Sequence, residues 1–377
     1  MSQIRDMNQV KVGQHYIGPG NDIFTIAEIG LNHNQNLNMA LELIEVAADA
    51  GCSAAKFQTF SAQDVYVNDP RTGNYSLMGQ SLPIYSLHES LEMPLEWIPI
   101  LKERCNSLGI EFFSAPIGIE SLRALVTNEV NVLKVSSYEC TNLPFLNEVA
   151  SNKIPTIIST GACALREVEA AVTIFQKAEC PVILLHCLTK YPAELSSANL
   201  SVMNTLRTAF NVPVGFSDNG FVTTDSKIDF IEIPVEAAKT GADAFEIHIT
   251  LDRSLPGPDH GFATEPHELK VLVNRMKRIR EEIIRGGQFE LDPILQGVSQ
   301  KRTLPEEEYV RNFAFKCLFA REDIFEGEKI RADQVAILRP GEGSRGLEPE
   351  YYSLVTNFAH ARHFIRKNDP ITWESIL

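Results

Sequence analysis

Two lysines sit inside apolar runs of β character, Lys56 in AAKFQ (54–58) and Lys134 in NVLKVS (131–136). Burying an ammonium is costly unless an anion meets it, so the pair is expected to face one anion. Hydroxyls stand at comparable places in other runs, at Ser114, Ser137, Ser159 and Ser217, where they would add neutral hydrogen bonds around a phosphate or carboxylate. Two carboxylates, Glu28 and Glu139, flank the set. Beside lysines such a group stays ionised at neutral pH and can take or relay a proton, or it serves only as a charge partner. His248, after the buried run of AFEIHI (244–249), is the candidate metal ligand, although a lone histidine is more often structural. His186 in LLHC reads equally well as a core histidine. Together these residues suggest the handling of a small phosphorylated substrate.

The elements that would position them recur along the chain. Short β-rich runs at 23–28, 54–58, 110–115, 131–136, 155–160, 181–186, 212–217 and 244–249 alternate with helical patterns such as 37–51, 94–109, 165–178 and 230–241, the signature of βα units and a parallel sheet. Eight such units in about 280 residues fit a TIM barrel, an α/β (β/α)8 fold. No GxGxxG follows the first strand to favour a doubly wound sheet instead. In a TIM barrel the site lies at the C-terminal ends of the strands, and those ends carry Glu28, Lys56 with Gln58, Ser114, Lys134 with Ser137 and Glu139, Ser159, His186, Ser217 with Asp218 and Asn219, and His248. Any one of these could mark merely the chain leaving the core, but all eight ends are polar. One connection, residues 59–93, is long enough to be a lid or binding loop. The barrel pattern spans 1–287, a polar linker is expected over 288–311, and residues 312–377 read as a small β-rich domain near the lower size limit for independent stability.

Bulk properties exclude several classes. The net charge is −15, with 34 Lys+Arg scattered among 377 residues, which argues against nucleic acid or an anionic membrane as partner. No stretch approaches a membrane span, and the opening residues lack the features of a secretory signal, so a cytoplasmic location is expected. Seven cysteines, odd in number and without a CxxC pair, read as reduced and structural.

The order of motifs resembles the sialic acid synthase family, which includes N-acetylneuraminate, legionaminate and pseudaminate synthases and a spore-coat polysaccharide relative. The resemblance rests on IAEIGLNHNQN…ALELIEVAADAGCSAAKFQTF (26–60), FFSAP (112–116), LKVSSYECTNLPFL (133–146), IISTGA (157–162), HCLTKYP (186–192), GFSD (215–218), EIHITLDRSLPGPDHGFATEP (246–266) and LRPGEG (338–343). It implies a barrel followed by an antifreeze-like (SAF, β-clip) domain, paired as a domain-swapped homodimer. It implies condensation of phosphoenolpyruvate with an N-acetylated amino-hexose, releasing phosphate. Carried over by motif, Lys56, Ser114, Lys134, Ser137, Ser159 and Ser217 are similar to the phosphoenolpyruvate ligands. Gln58, Tyr191 and Asp259, with Glu28 and Glu139, resemble the groups around the sugar and the reacting carbons, and Arg339 resembles the arginine that the swapped domain supplies. Three positions depart from the pattern. Asn219 stands where a histidine is one of two ligands to a divalent metal, Ile247 replaces a cation, and Phe315–Lys316 replaces a double arginine. An amide oxygen is a weaker ligand than imidazole, so a divalent ion, Mn or Mg, held by His248 and Asn219 is expected to bind weakly, and Asn219 would be left to orient the aldehyde or water. Two other readings stay open from the residues: a Schiff-base barrel aldolase using Lys56 or Lys134, and a non-catalytic sugar-binding paralogue.

Overall fold

The computed structural model describes residues 9–77, 80–222, 228–229 and 231–377. Eight parallel strands form the central sheet: β1 (Phe24–Gly30), β2 (Ala54–Phe60), β3 (Glu111–Ile117), β4 (Leu133–Val135), β5 (Thr156–Ser159), β6 (Val182–His186), β7 (Val214–Asp218) and β8 (Ala244–His248). Each starts and ends within two residues of its expected place. Their order is β3-β2-β1-β8-β7-β6-β5-β4, and the end strands β3 and β4 lie against each other, so the sheet is a near-closed barrel. Each strand is followed by a helix, from Leu37–Ala50 after β1 to Pro266–Ile284 after β8. The helix expected over 230–241 is Glu232–Lys239, its first expected residue lying outside the described residues.

The strands' period of two divides their side chains between the barrel interior and the helix layer. Phe24, Ile26, Ala54, Phe113, Val132, Ile157, Ile183, Leu185 and Ala244 fill the N-terminal half of the interior. They pack with Val10, Val12 and Ile17 of an N-terminal hairpin, Val10–Val12 paired with His15–Ile17, which plugs that end. The helices cover the outer face through a much larger apolar cluster. Continuing most interior rows toward the C-terminal end passes from apolar to polar residues, the row of β3 excepted, where Ala115 and Ile117 follow Phe113, so the polar chamber is the upper half of the same stack.

The long connection after β2 is built rather than loose. It holds a short helix (Ala62–Val65), a hairpin (Asn74–Leu77 with Gln80–Pro83) and a helix (Ile84–Glu89), with residues 78–79 outside the described residues. Val65, Tyr66, Ile84, Leu87 and Leu91 of this insertion form an apolar cluster of their own with Leu31, Phe60 and Ile117.

Residues 288–311 lie against the barrel. Leu295 enters the main core, and the buried Glu307 carboxylate accepts from the Ala162 and Thr189 amides at 2.9 and 3.0 Å. After the helix Glu308–Ala314 comes the small C-terminal domain, with antiparallel strands β9 (Cys317–Ala320) and β10 (Val335–Leu338) around Leu318, Ile330, Val335, Val355 and Ile371. This domain seats on the mouth of the barrel. All seven cysteines are buried and unpaired, and among the described residues no helix is long and apolar enough to cross a membrane.

Candidate active site

At the mouth, a small inner chamber of about 110 Å³ is lined by Lys56, Lys134, Glu28, Glu246, Ser159 and Ser217 among others. Both lysines are buried. Lys56 Nζ lies 2.5 Å from Glu28 and 3.7 Å from Glu246, and Lys134 Nζ lies 3.7 Å from the other oxygen of Glu246. Lys134 also donates to Ser159 Oγ at 2.6 Å, and Ser217 donates to Glu246 at 2.9 Å. Glu28 and Lys56 are direct neighbours across β1 and β2, just before a register shift at Gly30. Gly30 has a φ of +53°, and a Cβ there would meet the Glu28 carboxylate at 2.9 Å, so glycine keeps this corner open.

Electrostatics separate the two lysines. For Lys56, burial works against the charged form, but the carboxylates of Glu246 and Glu28 outweigh it and hold the pKa above its ordinary value. For Lys134, burial dominates, the nearby Lys56 charge adds to it, and the pKa falls despite Glu246. Burial would raise the Glu246 carboxyl, yet Lys134 and Lys56 overcome it and hold the pKa below the usual range. The chamber thus sets two buried lysines against two acidic side chains.

The other expected residues take distinct places. Ser137 Oγ accepts from the Gly161 amide at 2.9 Å and lies 3.2 Å from Cys187 Sγ. A Cβ on Gly161 would stand 3.0 Å from both, so only glycine permits that approach. Asn219 lines the inner chamber, its amide group donating to Leu188 O at 2.5 Å. Gln58, Tyr191 and His248 line both this chamber and a wider one of about 300 Å³ that also holds Asp259. Gln58 donates to Glu28 at 3.1 Å. Burial, with Glu28 adding to it, raises the Asp259 carboxyl against the opposing pull of His248 and Lys56. Arg339 reaches the inner chamber from the C-terminal domain, its guanidinium 4.8 Å from the Tyr138 ring and 5.5 Å from the Tyr66 ring, a stacking geometry that arginine favours.

Ser114, Glu139, His186 and Asp218 line neither chamber. Ser114 has the opposite parity to Phe113 and Ala115, so it faces away from the interior and bonds Thr59 Oγ1 at 2.7 Å. Glu139 is buried behind the chamber wall, 3.2 Å from Lys316 Nζ and accepting from Asn142 at 2.8 Å, the charge-partner alternative considered for it. His186 also faces outward, 2.9 Å from Ala198 O and against Phe216, and burial beside Lys301 lowers its pKa to about 3. Several chamber residues escaped the sequence reading, among them Tyr138, Glu246, Ser136 and Cys187. Period two along β8, β4 and β6 could have found the last three, since each is two residues from an interior position.

The metal expectation meets a thin donor set. His248 Nδ1 lies 3.2 Å from Asp218 O, leaving Nε2, and Asn219 leaves its amide oxygen. Among the described residues no cluster of three or more His, Cys, Asp or Glu could hold an ion. One imidazole and one amide do not fit a protein-held ion.

Comparison with known proteins agrees with this layout. The chain is 36% identical over 374 residues, 98% of each chain, to the spore coat polysaccharide biosynthesis protein SpsE of Bacillus subtilis. It is 36% identical over 327 residues, 85% of this chain and 86% of the other, to the N,N'-diacetyllegionaminic acid synthase of Legionella pneumophila. The crystal structure of the Bacillus subtilis spsE protein superposes with a TM-score of 0.86 at 34% identity, covering 98% of this chain and 99% of that one. Residues 43–287 match the NeuB family and residues 315–377 the SAF domain. With residues 43–287 matching that family and a relative 36% identical over 98% of each chain, the chain belongs to the NeuB family.

Proposed function

We propose that the protein is a synthase of nonulosonic (sialic-type) acids that condenses phosphoenolpyruvate with the open-chain aldehyde of an N-acetylated amino-hexose. The observation that carries this reading is the convergence of Lys56 and Lys134 on one small chamber that opens beside a wider one suited to a neutral polyol. The inner chamber takes the phosphate and carboxylate of phosphoenolpyruvate, with Ser137, Ser159 and Ser217 as neutral donors. Its C3 attacks the aldehyde carbon, whose oxygen takes up a proton. Water adds at C2 and loses a proton, and the C2–O bond to phosphate breaks as the 2-keto acid forms. Glu28, ion-paired to Lys56 and reached by Gln58, is the proton-handling group, and Asn219 with His248 orients the aldehyde or the water.

The test is phosphate release from phosphoenolpyruvate with a panel of amino-hexoses, with and without chelator. Release should require both substrates, and Lys56→Ala or Lys134→Ala should leave a folded protein whose phosphoenolpyruvate binding is lost. Variants that bind as tightly as the wild type remove the anion assignment, and absence of release with every sugar leaves a non-catalytic sugar-binding paralogue. The lowered pKa of Lys134 is also what a Schiff-base aldolase needs. Borohydride trapping with a keto substrate separates the two, and no covalent adduct is expected.

A further inference from the structure

One hydroxyl of the inner chamber has no partner, and its role deepens the synthase reading above, on which it rests. Ser136 lies one residue past the end of β4 and two past Lys134. Period two therefore keeps its side chain on the face of that lysine, and both residues line the chamber. Lys134 Nζ donates to Val135 O at 3.3 Å, the carbonyl of the peptide that joins Val135 to Ser136. The ammonium group thus stands beside Ser136, and an anion seated on it comes within reach of Ser136 Oγ.

The other serines of the chamber are already engaged. Ser159 Oγ accepts from Lys134 at 2.6 Å, and Ser217 donates to Glu246 at 2.9 Å. Ser137 Oγ accepts from the Gly161 amide at 2.9 Å and lies 3.2 Å from Cys187 Sγ. Ser136 also immediately precedes the turn Ser137–Glu139, the position from which a serine side chain commonly folds back onto unpaired backbone amides. Here it makes no such cap. Among the described residues nothing meets Ser136 Oγ, although the atom is shut off from solvent. Leaving a buried hydroxyl unpaired is destabilising, so a group that supplies the missing acceptor gains the more by binding there. Beside two lysines that acceptor is an oxyanion. Ser136 lines the inner chamber and not the wider one, which sets it against the anion rather than the sugar.

We propose that Ser136 is a further binding residue for phosphoenolpyruvate, its hydroxyl donating to an oxygen of the anion held by Lys134. The test is calorimetric titration of the wild type, Ser136→Ala and Lys134→Ala with phosphoenolpyruvate, together with the thermal midpoint of each ligand-free protein. Ser136→Ala should bind about 10-fold more weakly, the loss expected of one hydrogen bond to a charged group. Its midpoint should be unchanged or higher, because alanine removes a hydroxyl that the ligand-free fold leaves unpaired. Wild-type affinity in Ser136→Ala overturns the assignment. Weaker binding with a lowered midpoint overturns it too, since the hydroxyl would then be supporting the ligand-free fold. If Lys134→Ala loses binding in the same series, the synthase reading stands whichever way Ser136 falls. If the wild type itself binds no phosphoenolpyruvate, that reading fails and the assignment fails with it.

Discussion

Asn219 shows how much one side chain can decide. Its amide donates to Leu188 O, which turns the amide oxygen toward the inner chamber it lines. Replacing the amide by imidazole would add a second nitrogen ligand opposite His248 but would give up the hold on Leu188. We predict that Asn219→His binds Mn²⁺ measurably more tightly by calorimetry while its turnover falls, and that chelator leaves the wild-type rate unchanged. A variant unaltered in both metal binding and rate would place Asn219 outside the reacting site. A variant that gains metal and keeps or raises its rate would show that the amide is only a poor ligand. Glu246 makes a complementary case. It is shared by both lysines, and its charge offsets part of the cost of burying them. Nothing in EIH marks it apart from its place in a buried strand, the same signal that singled out the lysines.

At the scale of elements, the turn Ser137–Glu139 after β4 does three jobs in three residues. Ser137 bonds Gly161 and lines the inner chamber, Tyr138 stacks on Arg339 and lies 3.3 Å from the Tyr191 hydroxyl, and Glu139 meets Lys316. Lys316 also donates to Asp64 O at 2.7 Å, so a single ammonium ties the C-terminal domain to both β4 and the insertion. Removing one partner of a buried ion pair costs about 3–5 kcal/mol because the other charge is left alone. Lys316→Met is therefore expected to lower the thermal midpoint and to raise KM for the sugar, with phosphoenolpyruvate affinity little changed, and Lys316→Arg should restore both. Unchanged KM for the sugar in Lys316→Met would show that the turn holds its shape without the pair. The barrel strands and most of the chamber were readable from the sequence because buried strands announce themselves by apolar composition and a charge within one is conspicuous. Ser114 and His186 stand near strand ends, and resemblance also points to Ser114, but side-chain parity turns both outward, and proximity to a strand end does not reveal parity. Glu139's partner was not readable at all, since 177 positions separate it from Lys316 along the chain and only tertiary contact joins them.

For the molecule as a whole, the C-terminal domain supplies Arg339 to the lining of the inner chamber. Besides Arg339 it contributes Lys316 and an ion pair between Arg71 and Asp369 at 2.8 Å, and its backbone meets the insertion through Arg339 N to Val65 O at 2.8 Å and Glu342 N to Thr72 O at 3.0 Å. Here the domain sits on its own chain's barrel, and the exchanged homodimer implied by family resemblance would make the same contacts between two chains. We propose that exchange, and mixing two inactive variants tests it. A Lys134→Ala chain and an Arg339→Ala chain, unfolded and refolded together, should regain roughly a quarter of wild-type activity, because half of randomly formed dimers are mixed and each holds one intact site. If each domain serves its own barrel, no mixture recovers activity. The insertion after β2 has a different kind of consequence. Ile84, Leu87 and Leu91 pack in a cluster distinct from the barrel core, yet that cluster rests on Phe60 at the end of β2 and Ile117 at the end of β3, so a change of volume there should be felt at the end of the strand that carries Lys56.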